Sequence, residues 1–344
     1  MITPRSNIAA LTPYSSARRS ETAQGLWLNA NEAGEALFSE LNNYNLYPEP
    51  QPQALIDTYA DYAGLTSQQV LVSRGADEGI ELLIRGYCEP GQDAIAITTP
   101  TYGMYQISAN TQDVEVQDIP LTSDFELNVP ALLDTQAKIF FICAPNNPLG
   151  NMPKGEDIQT LLERKPQSLI VIDEAYIEFC PELSWANRLN DYPNLVILRT
   201  LSKAFGLAGA RVGFTLASTE IIATLAKFIA PYPIAAPVVE AASKVLSTQG
   251  ITRMRQNVAS VLEQRANTAA FLTPRVEKLF ASEANFLLIQ VKDSQALLQG
   301  MKQQGIILRD MNKGTLNQCV RISIGTPTQM QAFQQAWLNL ETQA

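Results

Sequence analysis

SLIVIDEAYIEF, residues 168–179, decides how this chain is read. Leu169 to Ile172 are successive apolar residues, and Asp173-Glu174 follow at once. An apolar run without polar alternation fits a strand covered on both faces. Runs of the same kind lie on either side: QVLVS (69–73), AIAIT (94–98), AKIFFICAP (137–145), NLVILRT (194–200) and RVGFTLA (211–217). Helix-like stretches separate them. The pattern predicts an α/β layer fold with a mainly parallel central sheet flanked by helices. Polar residues gather just past the strand ends, where open α/β sheets bind ligands. After about residue 245 the texture changes: a polar helical stretch (Thr252 to Leu272) leads to NFLLIQV (285–291), GIILRD (305–310), CVRISIG (319–325) and a terminal helix. That part predicts a smaller α+β domain.

Composition narrows the chemistry. A chain of 344 residues can bury a core large enough for two domains. With 25 basic against 34 acidic residues its net charge is −9, which argues against nucleic acid as a partner. Cys88, Cys143, Cys180 and Cys319 form no CxxC pair. Reduced, packed thiols in a cytoplasmic protein are expected, with neither a disulfide framework nor a metal site. The opening residues (MITPRSNIAALTPYSS) lack the apolar stretch of a signal peptide. The longest apolar region, Ile221 to Val239, carries Lys227, Pro231, Pro233 and Pro237, and cannot be a membrane span. There is no histidine, so Ser-His-Asp and Cys-His hydrolases and histidine-bound metals are excluded. Proton chemistry must use Lys, Asp, Glu, Tyr, Cys or a cofactor.

RTLSKAFGLAGARVGF (199–214) places Lys203 after an apolar strand, between Thr200 and Ser202 and a small-residue loop that ends at Arg211. A lysine there suits an imine, because burial and neighbouring cations free its neutral amine. Ser202 and Arg211 suit a phosphate. An exposed lysine in a glycine-rich loop explains that segment alone equally well. Asp173, at its strand end, can pair with a pyridinium nitrogen: opposite unit charges ~3 Å apart attract by ~5 kcal/mol at an effective dielectric of ~20. Tyr176 follows three residues later and can bond a phenolate oxygen. An aspartate that merely caps a helix is the plain alternative. Four apolar residues before Asp-Glu also look like a Walker B strand, but no GxxxxGK[ST] loop accompanies it, and no GxGxxG follows the first strand.

Three further segments complete the set. FFICAPNNPLG (140–150) offers Asn147 as an amide donor to the same phenolate, although Asn-Pro and Gly also make ordinary turns. SRGADEGIELL (73–83) offers backbone amides at Gly75, Ala76 and Asp77 as a phosphate cradle on a helix N-terminus, or simply a well-charged helix start. TTPTYGMYQ (98–106) offers Tyr102 to stack on a planar ring. Together they supply an amine, a carboxylate, an amide, two phenols, an arginine and a helix N-terminus, all expected after strand ends.

Read in order, LTPYSSARR (11–19), LNANE (28–32), YPEPQP (47–52), VSRGADEGIELLIR (72–85), PTYGMY (100–105), DEAYIEFCP (173–181), RTLSKAF (199–205), GIILRD (305–310) and RISIGT (321–326) resemble the fold-type I aminotransferases that depend on pyridoxal 5′-phosphate (PLP). Among these the chain is most similar to the histidinol-phosphate aminotransferases of bacterial histidine biosynthesis. The resemblance implies an N-terminal arm over 1–28, a large PLP-binding domain over 29–245 and a small C-terminal domain over 246–344. It implies a cytoplasmic homodimer exchanging amino groups between histidinol phosphate, or imidazole-acetol phosphate in reverse, and glutamate or 2-oxoglutarate. Lys203 would be the Schiff-base lysine and proton shuttle, and Asp173 the partner of the ring nitrogen. Asn147 and Tyr176 would bind the phenolate and Tyr102 the ring face. Ala76, Asp77, Ser202 and Arg211 would hold the phosphate, joined by Tyr47 from the neighbouring subunit. Arg321 would bind the glutamate carboxylate, with Arg309 and Tyr14 helping to recognise substrate. A threonine-phosphate decarboxylase-like enzyme and an aromatic aminotransferase share the scaffold. A PLP-binding regulatory module would need a DNA-binding extension, for which no basic segment is present. Two places depart from the family pattern: Leu149 stands where threonine is usual, and Ala210 where a bulkier residue often lies.

Overall fold

In the strand Leu169–Asp173 every side chain is buried, and successive ones point to opposite faces. Leu169 and Val171 enter one apolar layer, Ile170 and Ile172 the other. Both faces of the sheet must therefore be covered. The computed structural model describes residues 2–14 and 28–342. Its central sheet has seven strands: β1 (Val70–Ser73), β2 (Ala94–Ile97), β3 (Glu115–Asp118), β4 (Ile139–Cys143), β5 (Leu169–Asp173), β6 (Leu195–Thr200) and β7 (Gly213–Ala217). Their order is β1-β7-β6-β5-β4-β2-β3, and β7 alone runs against its neighbours. The mainly parallel sheet read from the apolar runs is present. β3 lay outside those runs because it is a polar edge strand, EVQD, with little to bury.

Eleven helices are described: α1 (Ser6–Ala9), α2 (Gln53–Ala63), α3 (Gly75–Tyr87), α4 (Met104–Asn110), α5 (Val129–Asp134), α6 (Gly155–Arg164), α7 (Thr219–Ala226), α8 (Ala236–Leu246), α9 (Thr248–Leu272), α10 (Ser294–Gln303) and α11 (Pro327–Glu341). Ile80 and Leu83 of α3, Tyr105 of α4 and Leu225 of α7 cover one face. Leu55 of α2, Leu161 of α6, Leu246 of α8 and Val258 of α9 cover the other. No helix among the described residues is long and apolar enough to cross a membrane.

The C-terminal part builds a second, antiparallel sheet from β8 (Lys278–Leu279), β9 (Phe286–Gln290), β10 (Arg309–Asp310) and β11 (Cys319–Ser323), in the order β10-β11-β9-β8. GIILRD pairs only over Arg309–Asp310, although Ile306 and Leu308 still pack inward. Side-chain caps start its helices. Asp293 accepts from the Ala296 amide before α10, and Thr326 forms a capping box with Gln329 before α11. At the other end, α1 is tied to the large domain. Ile8 is buried, the Arg5 amide donates to the Gly86 carbonyl at 2.9 Å, and Lys227 Nζ donates to the Ala9 carbonyl at 2.7 Å. The arm expected over 1–28 falls largely on residues 15–27, which lie outside the described ones.

Candidate active site

The central sheet gathers its functional side chains at one edge. β1, β2, β4, β5 and β6 end there, leading to Ala76 and Asp77, Tyr102, Asn147, Asp173 and Lys203 in turn. Arg211 reaches the same edge by another route. It precedes β7, and only because β7 is antiparallel does the start of that strand lie beside the ends of the others. The expectation that every site group follows a strand end is corrected at that residue. Glycines leave the room required. A Cβ on Gly213 would sit 2.3 Å from the Ala76 amide nitrogen, and one on Gly75, where φ is +77°, 2.8 Å from Arg211 Nη2.

Ten of the thirteen residues singled out from the sequence line one cavity of about 220 Å³: Ala76, Asp77, Tyr102, Asn147, Asp173, Tyr176, Ser202, Lys203, Arg211 and Arg321. Cys143, Ala175 and Thr200 complete it. At one end Arg211 pairs with Asp77 at 3.0 Å and donates to Ser202 Oγ at 3.4 Å, and the Tyr102 hydroxyl donates to Asp77 at 2.9 Å. The α3 N-terminus, starting at Gly75, adds its first-turn amides there. At the other end Arg321 of β11 donates to Asn147 Oδ1, so the donors this cavity-lining amide has to offer a ligand are those of its NH2. The Asn147 turn rests on the small sheet: Leu149 is buried against Leu288, Leu316 and Cys319, and the Glu283 amide donates to the Gly150 carbonyl at 2.7 Å. Leucine in the family's threonine position is thus a packing residue.

Between the ends stands Asp173. Its Oδ2 accepts from the Tyr105 hydroxyl at 2.7 Å and its Oδ1 from the Ala175 amide at 3.1 Å. Among the described residues no cation pairs with it, and burial raises its pKa to about 6 against the pull of those hydrogen bonds. Lys203 Nζ lies 5.2 Å from the centre of the Tyr176 ring. Its side chain is open to the cavity, yet partial desolvation, then Arg321, lowers its pKa. Burial also lowers Arg321, aided by Arg309 and opposed by Tyr176. Burial pushes the Tyr102 and Tyr176 phenols up, so both enter the site as hydroxyls.

Three of the sequence candidates lie elsewhere. Tyr47 is half exposed and stacks on Tyr232 with centroids 4.6 Å apart, lining a different hollow with Tyr44 and Pro48. Tyr14 is exposed. Arg309 is exposed on the edge strand β10, directly across from Arg321. Sequence reasoning missed Tyr105, whose signal was its place three residues after Tyr102 at a helix start.

This donor set fits PLP. A buried carboxylate without a cation matches its pyridinium nitrogen. A lysine with a lowered pKa matches its aldehyde, an amide NH2 and a phenol match its phenolate, and a helix N-terminus with Arg211 matches its phosphate.

Comparisons with known proteins agree. The pattern of the family described as "Aminotransferase class I and II" matches residues 15–336. A protein named histidinol-phosphate aminotransferase from Yersinia pseudotuberculosis serotype O:1b is 52% identical over 330 residues, covering 94% of this chain and 86% of the relative. In fold the chain is similar to the crystal structure of the histidinol-phosphate aminotransferase from Clostridium acetobutylicum, with TM-score 0.80, 23% identity, and coverage of 88% of this chain and 93% of that one. It is likewise similar to the enzyme of that name from Sinorhizobium meliloti in complex with PLP, with TM-score 0.77, 23% identity, and coverage of 89% and 88%. The fold is therefore that of the fold-type I PLP-dependent transferases, and the chain belongs to the class I and II aminotransferase family, whose cofactor is pyridoxal 5′-phosphate.

Proposed function

We propose that this enzyme moves an amino group between histidinol phosphate and 2-oxoglutarate, or from glutamate to imidazole-acetol phosphate in reverse, as a cytoplasmic homodimer. The observation that carries the reading is 52% identity over 94% of the chain to relatives named for that activity. The position of two arginines facing each other across β10 and β11 supports it, since guanidinium forks suit phosphate and carboxylate alike.

Lys203 would hold the cofactor aldehyde, Asp173 the ring nitrogen, Asn147 and Tyr176 the phenolate oxygen, and Tyr102 one ring face. Ala76, Asp77, Ser202 and Arg211 would hold the phosphate, with Tyr47 reaching in from a second copy. When bound, PLP supplies the electron sink that lets a Cα proton leave. Lys203 Nζ would carry that proton between the substrate Cα and the cofactor carbon on the other side of the imine nitrogen, and its lowered pKa favours the neutral amine that can accept it. Asp173 keeps the ring nitrogen protonated by its charge. Arg321 binds the glutamate carboxylate, while Arg309 and Tyr14 discriminate at the rim.

Rapid-mixing measurement of each half-reaction with histidinol phosphate and with histidinol tests the assignment. We expect kcat/KM for the phosphorylated compound to be higher by about 100-fold or more, because an arginine deprived of its anion is left unpaired in the site. Equal values would overturn the histidinol-phosphate reading and point to a general or aromatic aminotransferase.

A further inference from the structure

Tyr105 occupies the first turn of α4 and is wholly buried. Its ring stacks on Phe141 with centroids 4.9 Å apart and planes at 10°, and it meets Tyr102 edge-on at 5.6 Å. These contacts hold the ring still. A buried phenol needs a hydrogen-bond partner: the Tyr105 hydroxyl donates to Asp173 Oδ2 at 2.7 Å, with the Cys143 thiol also beside it. With the Ala175 amide on Oδ1, the two donors fix the plane of the carboxylate, which a single bond would leave free to rotate. The contacts continue to the far end of the cavity, because Tyr102 bonds Asp77 and Asp77 pairs with Arg211.

We propose that Tyr105 is a positioning residue for the reaction: its hydroxyl fixes the Asp173 carboxylate in the orientation that meets the cofactor's ring nitrogen. The proposal rests on the role given to Asp173 above. The groups that face Asp173 are Asp77 on α3, Tyr102 and Tyr105 at α4, Cys143 on β4, Tyr176 after β5, and Lys203 after β6. Of these, Tyr105 is the side chain that hydrogen-bonds to it, and that bond favours its ionised form. Loss of the hydroxyl therefore moves protonation of Asp173 to higher pH.

Tyr105→Phe removes the hydroxyl and keeps the ring in its stack. Two measurements test the inference: the dissociation constant of PLP, read by titration in a Lys203→Ala background where no bond to the lysine forms, and the acid limb of kcat in the holoenzyme. Loss of a hydrogen bond to a charged group predicts a dissociation constant raised by about tenfold or more. The acid limb should also move to higher pH. In an Asp173→Asn background the same change should add nothing to the dissociation constant. Wild-type affinity and an unmoved acid limb in Tyr105→Phe, with both impaired in Asp173→Asn, would overturn the inference alone. An undiminished effect of Tyr105→Phe in the Asp173→Asn background would overturn it too. Normal affinity and turnover in Asp173→Asn would overturn the role of Asp173 and this inference with it.

Discussion

Asp173 is 3% exposed and unpaired with any cation among the described residues, so the fold carries it at a cost. Its pKa is raised from the ordinary carboxylate range to about 6, so the folded chain holds a proton there that the unfolded chain releases. Stability from this group is therefore greatest at low pH and falls as pH rises through about 6. Without the cofactor, Asp173→Asn should be more stable than the parent at pH 7–8, by as much as about 3 kcal/mol, with the gap closing below about pH 4. The same variant should lose several orders of magnitude in kcat, since each ~1.4 kcal/mol of lost transition-state stabilisation is tenfold. Thermal unfolding of the apoprotein across pH, beside holoenzyme kinetics, measures both. A variant that unfolds earlier at pH 8, or one that turns over normally, contradicts the account. Glu178 shows the same effect of burial away from the cavity. Burial raises its pKa to about 7, although Arg199 lies 3.9 Å away.

Among the elements, the turn after β4 joins the two parts of the molecule. Its Asn147 faces the cavity, its Leu149 is 1% exposed against the small sheet, and Gly150, at φ +89°, runs so close to Ser282 that a Cβ would lie 2.6 Å from that residue's Cβ. Leu149 packs on Leu288, which stands directly across from Arg321 on β11. The residue that docks the turn therefore also sets the distance between Asn147 and Arg321. Leu149→Ala should cost about 2–5 kcal/mol, the range for truncating a buried leucine. A lower urea midpoint with an unchanged slope would register it. A loss under about 0.5 kcal/mol would mean that the turn is not held by this contact.

At the scale of the whole molecule, Tyr47 and the exposed Leu28, Leu37 and Phe38 leave an apolar surface outside the chain's own cavity. Large exposed apolar side chains in one segment mark a place for a partner, and a second copy completes the site if Tyr47 acts in trans. Mixing Lys203→Ala chains with Tyr47→Phe chains should form heterodimers with one doubly damaged and one intact site. Activity should then rise above that of either parent. Mixtures no more active than the parents would place Tyr47 within its own subunit or outside the reaction.

The α/β class was legible because burial on both faces demands unbroken apolar runs, and β4, β5 and β6 are such runs. The polar edge strand β3 and the two-residue β8 left no such trace, since a strand that buries little needs no apolar pattern. Lys203 and Asn147 were legible because each lies in a turn just after an apolar strand, and Asp173 because it ends one. Arg211 was legible as a residue but not by its route, because strand direction depends on which neighbours pair and sequence periodicity is the same both ways along the chain. Tyr105 could not be assigned to Asp173 from sequence: 68 positions separate them, and only the pairing of β2 with β4 and β4 with β5 brings α4 over the end of β5. Local order decides which residues follow a strand; the packing of distant strands decides which of them meet.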